Sequence, residues 1–495
     1  MAMVAGDARP ALIGIDVGTS SVKAVMVDQS GALLDRFSAS HAMQRSGPGA
    51  AEQDAHGWLD LVHKALNQFA GRASAKSVAA IGITSQVNTH VFCDGTLQPL
   101  GNAITWQDTR PGNDAAKLDA QISVEAKIEA LGAPIPIDAS HALSRMAWMA
   151  RNHPNIWSNT RHVLSPKDFV IAQLTGEVVA DPLASIGLTG TDLTYAGDIL
   201  DLMPRSQNLL PELQDPLTIA GHVTNGRPFA GVPVAVGTMD AWSAMFGLGV
   251  AQDHQAMYLS GTSEVLGLIS PSRMGTPGVV AFPEWRGITL HAAPTQAGGA
   301  SIAWLSHLLG RSIADISTLA AKAIIRAESP LFLPHLEGER APLWDATSRG
   351  GFAGLTSSSG AEELAASVME GVAFSARLAL EAVDASGNYA AETLRLGGGG
   401  ATSDIWCEIR ASALGRPLER VSVSETGATG ALAMASVACG LSDDLPDAAA
   451  GLATLDCTFE PDRVTAAMVD DRFAAYQDLY QGLRPIALKL GESVR

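Results

Sequence analysis

The stretch ALIGIDVGTSSVKAVMVDQSGALLDRF, Ala11 to Phe37, reads as three consecutive β-strands. Ile13 and Ile15 alternate with Gly14 and Asp16, and Val22, Ala24 and Met26 alternate beyond a Gly18-Thr19-Ser20 turn, the period of two that a pleated strand imposes. Asp28-Gln29-Ser30-Gly31 has hairpin-turn chemistry ahead of Leu33 and Leu34. The tripeptide Gly-Thr-Ser returns at Gly261 to Ser263, close to half the chain further on, again between apolar β-like runs (MYLS before, VLGLI after). Two readings stand: two halves built on one plan, or chance recurrence in a glycine-rich chain.

Outward from these hairpins, Trp58 to Phe69 reads as helical and AAIGITS as a buried strand. Asp114 to Trp157 is mainly helical, with His153-Pro154 as a stop, and a second apolar strand, VPVAVGT, ends at Asp240. Strands alternating with helices in both halves predict an α/β protein with mixed sheets. The expected boundary lies just past Asp240, giving domains 1–247 and 248–495. The 495 residues are more than three times the roughly 150 of a typical domain.

Hydrophobic residues make up 47% of the chain, charged ones 17%, and the 49 glycines follow no strict period, which excludes collagen-like and disordered classes. With 33 basic against 51 acidic residues the net charge is −18, so the surface repels nucleic acid. Any bound phosphate is expected to be held by backbone N–H groups and a metal, not by a basic patch. The four cysteines (Cys93, Cys407, Cys439, Cys457) are too sparse for a disulfide framework and fit a reducing cytoplasm. MAMVAGDARP lacks the pattern of a secretory leader, and no apolar run approaches the roughly 20 residues of a membrane span. A soluble, cytoplasmic protein of several domains is expected.

A P-loop, a GxGxxG after a strand, a GxSxG elbow and HExxH are all missing. Glycine-rich turns remain. Asp16-Val17-Gly18-Thr19-Ser20 can bring backbone donors to a phosphate, with Asp16 holding Mg²⁺, which favours one or two carboxylates plus phosphate; an ordinary β-turn is the alternative. Gly261-Thr262-Ser263 has the same chemistry and the same alternative. Leu396 runs into Gly397 to Gly400 and then a helix closed by Gly415, leaving room for a base and ribose, or forming a flexible linker. Asp240, at the end of a buried strand, suits the base of a phosphoryl transfer, or a helix N-cap. Trp106-Gln107-Asp108-Thr109-Arg110 joins an aromatic face to a carboxylate and a guanidinium, fit for gripping a sugar or for a plain surface ion pair. Gln86, Asn88 and His90 follow the strand AAIGITS and can line a polar pocket. Met146 and Met149, beside Trp148, read as core.

In this order the motifs GIDVGTSSVKAVMVD, WQDTR, GTMDAW, YLSGTSEVLG, LEGERAPLWDATSRGGFAGL and LGGGGATSDIW…GALAMA resemble the FGGY family of carbohydrate kinases, over about residues 11 to 440. The resemblance implies two ribonuclease-H-like domains of the actin and hexokinase type with an interdomain cleft, the first for sugar and the second for ATP. By position it implies Asp240 as catalytic base and Asp16 as the acid near Mg²⁺. Gly18, Thr19 and Ser20 match the first phosphate turn, Gly261 and Thr262 the second, and Gly299 a glycine near the nucleotide phosphates. Gly399 and Gly400 match the adenosine site, with Asp404 where glycerol kinases carry an adenine-contacting asparagine.

The departures bear on substrate. Val87 and Asn88 stand where glycerol kinases have an Arg-Glu pair, which speaks against glycerol. Val87-Asn88-Thr89 also replaces the Met-His-Gly of xylulokinases, and Ala241 their asparagine after the base. The expected sugar site is Gln86, Val87, Asn88, Trp106, Asp108 and Arg110, and the expected activity is ATP- and Mg²⁺-dependent phosphorylation of a ketopentose such as D-xylulose. An erythritol-type polyol, ribulose, a sugar acid, and a catalytically weak sugar-responsive regulator stand as alternatives. Oligomeric state is open, although a homodimer is common among proteins resembling this one, and the segment after about Leu441 carries no motif.

Overall fold

The period-two alternation of Ala11 to Phe37 folds as read. Strands Ala11–Val17, Ser21–Asp28 and Leu33–Ser40 form an antiparallel meander. In the computed structural model, which describes residues 10–72, 77–423 and 425–492, this meander opens the first of two units. Residues 1–9, where no leader was read, lie outside the described residues. The first unit comprises Met1–Gly249 with Glu425–Leu452, the second Val250–Ser424 with Ala453–Arg495.

The sheet of the first unit runs, in spatial order, Ile219–His222, Pro233–Ala235, Val78–Ser85, Ala11–Val17, Ser21–Asp28 and Leu33–Ser40. Val78–Ser85 is parallel to Ala11–Val17 and to Pro233–Ala235, and Ile219–His222 closes the edge antiparallel. In the second unit Ala256–Ser260 and Glu264–Ile269 form the corresponding hairpin, with Leu290–Pro294 antiparallel beyond it. On the other side lie Leu394–Gly397 and Leu418–Val421, both parallel, then Leu455–Phe459, antiparallel. The succession of partners is the same in both sheets, and each Gly-Thr-Ser turn joins the first strand to the second. The repeated tripeptide therefore reflects one plan used twice.

One face of the first sheet, with Ile13, Ile15, Val22, Ala24 and Met26, buries itself against Trp58, Val62, Leu66 and Phe69 of helix Ala55–Ala70. The opposite face, with Leu12, Val25 and Ala80, meets Ala428, Leu432 and Ala435 of helix Thr426–Ala438. That helix lies unusually close to the sheet: a Cβ on Gly14 or Gly82 would run into the carbonyl oxygens of Ala428 or Ala431, and one on Gly430 into that of Ser243. This packing draws Glu425–Leu452 into the first unit, whereas the sequence division at 247/248 put it in the second half.

Two local readings are refined. His153-Pro154 ends helix Ala142–Asn152 and also starts helix Pro154–Asn159, because proline is tolerated in a first helical turn. The strand in VPVAVGT covers only Pro233–Ala235, since Gly237 takes a left-handed φ of 61° and breaks the extended run before Asp240. The segment after Leu441 is structural: Leu455–Phe459 extends the second sheet and helix Ala466–Glu492 covers that unit, with Arg472 in a buried ion pair with Glu370. Among the described residues no helix is long and apolar enough to cross a membrane.

Candidate active site

In the first unit, Asp16 sits on the strand just before the Gly18 to Ser20 turn, on the face toward helix Thr426–Ala438. A Cβ on Gly427 would meet its Oδ2 at 2.6 Å. Its Oδ1 is buried and accepts no hydrogen bond. Lys23 stands opposite it in the hairpin register and pairs with Glu425 at 2.8 Å. Burial first, then the charges of Asp240 and Glu425, push the Asp16 carboxyl up to about 7 against the pull of Lys23.

Asp240 is the first residue of helix Asp240–Gly247, whose N-cap is Met239, so it does not act as the N-cap itself. Its Oδ1 accepts the Ala241 N–H at 2.8 Å, and burial pushes the carboxyl up to about 6. The loop leading into it is clamped from behind. Thr238 donates to Asp181 at 2.6 Å, the Thr238 carbonyl accepts from Thr84 at 2.7 Å, and the Val236 carbonyl accepts from Lys167 at 3.0 Å. Lys167, fully buried, also pairs with Asp168 at 2.6 Å and Asp181 at 3.2 Å. A lysine among buried apolar neighbours in SPKDFVIAQL was the missed signal.

The first Gly-Thr-Ser turn is fixed by its acceptors. The Gly18 carbonyl lies 3.0 Å from His41 Nε2, Thr19 O accepts from Gln53 at 2.7 Å, and Ser20 O from the His41 N–H. Gln53 in turn accepts from Gln86 at 2.8 Å, and Trp106 Nε1 donates to the Thr19 hydroxyl at 3.1 Å. Thr19, Gln86 and Trp106 are thus joined in one hydrogen-bonded chain through Gln53, a residue the sequence reading did not single out. The Gln86 Oε1 is buried and without a partner. Asn88 takes a left-handed φ of 49°, donates to Ser140 at 3.2 Å, and its carbonyl accepts from the buried Arg145, which also donates to Thr105 O at 2.6 Å. Behind Asn88 lies a cavity also lined by His90, Ser165, Asp168, Ser185 and Tyr195.

Asp108 and Arg110 do form an ion pair, but Asp108 is buried and both its oxygens are committed. Oδ2 takes the Ala51 N–H at 3.0 Å and Arg110 at 2.6 Å, while Oδ1 takes the Arg110 N–H at 3.0 Å. Arg110 further pairs with Glu52 at 2.5 Å and stacks over Trp148 at 4.4 Å. Val87 is half-buried between Gln86 and Asn88.

In the second unit, Gly261-Thr262-Ser263 lies directly on the start of helix Gly299–Leu309. Gly299 N–H donates to Gly261 O at 2.9 Å and Ala300 N–H to Thr262 O at 3.0 Å, with no room for a Cβ on Gly298 or Gly299. The Gly399–Thr402 turn packs against Ser260, the residue just before the Gly261 to Ser263 turn: Gly400 has its missing side chain filled by the Ser260 hydroxyl, while a Cβ on Gly399 would meet nothing within 4 Å. The buried Arg410 ties these parts together, donating to Gly400 O at 3.1 Å and Ser260 Oγ at 2.5 Å and pairing with Glu264. Asp404 stands apart: it starts helix Asp404–Leu414, is largely exposed, and pairs with Arg420 at 2.6 Å.

The model for the FGGY family of carbohydrate kinases matches as its N-terminal domain over residues 11–247 and as its C-terminal domain over 256–439. A xylulose kinase of Escherichia coli (strain K12) is 28% identical over 96% of this chain and 99% of its own. An erythritol kinase of Brucella abortus (strain 2308) is 28% identical over 97% of each. The crystal structure of a xyloylose kinase from Brucella ovis superposes with a TM-score of 0.86 at 26% identity, over 96% of this chain and 100% of the other.

Proposed function

Because the chain belongs to the FGGY family of carbohydrate kinases, we propose that it transfers the γ-phosphoryl group of ATP to a hydroxyl of a ketopentose, D-xylulose first. The observation that carries this is the pair Asp16 and Asp240, two acids in one unit whose carboxyls burial raises to about 7 and about 6. A base near 6 is mostly ionised at neutral pH yet still basic enough to take a proton from an attacking hydroxyl, the one proton transfer a phosphoryl transfer asks of the protein. Helix Asp240–Gly247 and the Lys167 clamp hold that carboxylate in place.

Asp16 fits Mg²⁺. Its unpartnered Oδ1 is a hard oxygen donor, and among the described residues no group of three or more acidic, histidine or cysteine side chains could hold a metal without help. Mg²⁺ bound by one or two carboxylates plus substrate phosphate needs no such cage, and when bound it neutralises phosphate charge. Gly18, Thr19 and Ser20 serve the phosphate beside it. In the second unit Gly261 and Thr262 form the second phosphate turn and Gly299 lets it seat on the helix. Gly399 and Gly400 receive the adenosine, and Asp404 contributes by holding Arg420, which donates to Ala401 O at 3.0 Å.

For the sugar, Gln86, Val87, Asn88 and Trp106 supply a polar edge and an aromatic face, with Asp108 acting by orienting Arg110. D-Xylulose is supported by the xylulose kinase relative, while Val87-Asn88 in place of an Arg-Glu pair speaks against glycerol alone; the erythritol kinase relative keeps a four-carbon polyol as the second reading. Four free thiols and an acidic composition fit work in the cytoplasm. Asp240→Asn should lower kcat by about two to four orders of magnitude with the circular dichroism unchanged; near-wild-type turnover would remove Asp240 from the role of base.

A further inference from the structure

In the first unit, Gln53 ends the two-residue strand Glu52–Gln53, which pairs with Ala103–Ile104. Asp54, next in the chain, caps helix Ala55–Ala70 through the His56 N–H at 3.0 Å. The backbone of Gln53 is therefore held from both sides. The residue is 1% exposed, as is Gln86. Two buried amides in contact are costly unless each end meets a partner of the right kind.

The orientation of both amides follows from one backbone group. The Thr19 carbonyl can only accept, so the end of Gln53 that lies 2.7 Å from it is the NH2 end. That turns the Gln53 Oε1 to Gln86, and an oxygen there requires the Gln86 NH2 group as its donor, at 2.8 Å. The Gln86 Oε1 then faces away from Gln53, and it is the atom that is buried with no hydrogen-bond partner. An acceptor left in this state costs the protein stability, and a ligand group that donates to it removes the penalty.

The place of that oxygen points to the substrate. The strand that delivers Gln86, Val78–Ser85, lies between the strand carrying Asp16 and the strand leading to Asp240. Gln86 N–H donates to the carbonyl of Val17, one residue past Asp16, at 3.1 Å. Ser85 bridges Met239 in parallel, so Gln86 and Asp240 leave their strands side by side. Open α/β sheets bind their ligands at this carboxyl end of the strands. A sugar hydroxyl can donate to the Gln86 Oε1, whereas a carbonyl or carboxylate oxygen in the same position meets a lone pair.

We propose that Gln53 is a positioning residue for the sugar: it fixes Gln86 with its oxygen outward, as the acceptor for one substrate hydroxyl, and so selects for a donor at that point. This rests on the assignment of Gln86 to the sugar site.

Steady-state kinetics with the sugar that wild type turns over best test it, the fold of each variant being checked by circular dichroism. The variants are Gln86→Met, Gln53→Met, which fills the space without an amide, Gln53→Glu, which still accepts from Gln86, and the double variant Gln53→Met/Gln86→Met. Sugar KM should rise about 10- to 100-fold in Gln86→Met and about 5- to 20-fold in Gln53→Met, with ATP KM within about twofold in both and Gln53→Glu within about threefold of wild type. Because Gln53 acts through Gln86, the double variant should match Gln86→Met within about twofold. The role of Gln53 would be overturned by an unchanged sugar KM in Gln53→Met, by an equal loss in Gln53→Glu, or by additive losses in the double variant. Sugar and ATP KM rising together in Gln53→Met, as loosening of the Thr19 turn alone would cause, would overturn it as well. An unchanged sugar KM in Gln86→Met would take Gln86 out of the sugar site, and the inference with it.

Discussion

Asp16→Asn is expected to make the ligand-free protein more stable while stopping its turnover. Burial and the neighbouring Asp240 raise the Asp16 carboxyl from 3.8 to about 7 in the folded chain. Between those values the folded state retains a proton that the unfolded chain has released, so stability falls as pH rises, by about 1.4 kcal/mol per pH unit. The loss begins near the unfolded value of 3.8, approaches about 4 kcal/mol over roughly three units, and is complete above the folded value. Asparagine mimics the protonated acid in both states and carries none of this slope. Relaxation and water entry around a half-buried group reduce the recoverable part to about 2–4 kcal/mol. At roughly 2 °C per kcal/mol for a unit of this size, the melting temperature should rise about 4–8 °C at pH 8, and the gain should vanish toward pH 4. The assay is calorimetry of both proteins from pH 4 to 8.5 in EDTA. Equal melting temperatures at pH 8, or a gain that does not change with pH, would refute the argument that the protein holds Asp16 in a site that disfavours its charge.

Three further outcomes follow from the same structure. The kcat/KM profile should have an acid limb near pH 6, activity falling as pH drops through the Asp240 value of about 6 because the base must be deprotonated; Asp240→Asn should show low, flat residual activity, and a wild-type profile flat to pH 5 would contradict this. Lys167→Met leaves Asp168 and Asp181 buried without their counter-charge and should cost about 3–5 kcal/mol, measured by urea unfolding of the first transition, with Lys167→Met/Asp181→Asn recovering part of it. Gly430→Ala should gain about 1 kcal/mol in helix propensity but lose more, because its Cβ meets the backbone carbonyl of Ser243 and not a movable side chain; the melting temperature should drop, while Gly399→Ala, with open space around it, leaves it unchanged.

Much of the fold was legible because it rests on local patterns. The alternation of Ile13 and Ile15, then Val22, Ala24 and Met26, carries its own period, and the second Gly-Thr-Ser repeats the turn. That the helix from Thr426 packs on the first sheet was not legible, because its reason for packing is absence of side chains: Gly14, Gly82 and Gly430 reveal a close approach only when the partner backbone is seen. The same holds at the candidate site. Asp16, Asp240 and Trp106 stood out by residue type and position, yet Gln53, Lys167 and Asp181 act through partners far along the chain, as in Thr238 to Asp181 and Gln86 to Gln53. Asp108 was expected in the sugar site, with a surface ion pair to Arg110 as the alternative, and the residue type alone could not show that it is buried with both oxygens taken.

The most direct test of the central claim is ADP release from ATP and Mg²⁺ across D-xylulose, D- and L-ribulose, erythritol, ribitol, glycerol and gluconate, with a no-sugar blank and the phosphorylated product identified by mass spectrometry. The account predicts release well above the blank with D-xylulose, a product heavier by one phosphoryl group, and loss of both in Asp240→Asn. Release that is no higher with any of these compounds than without sugar, from protein that is folded and binds ATP, would contradict it.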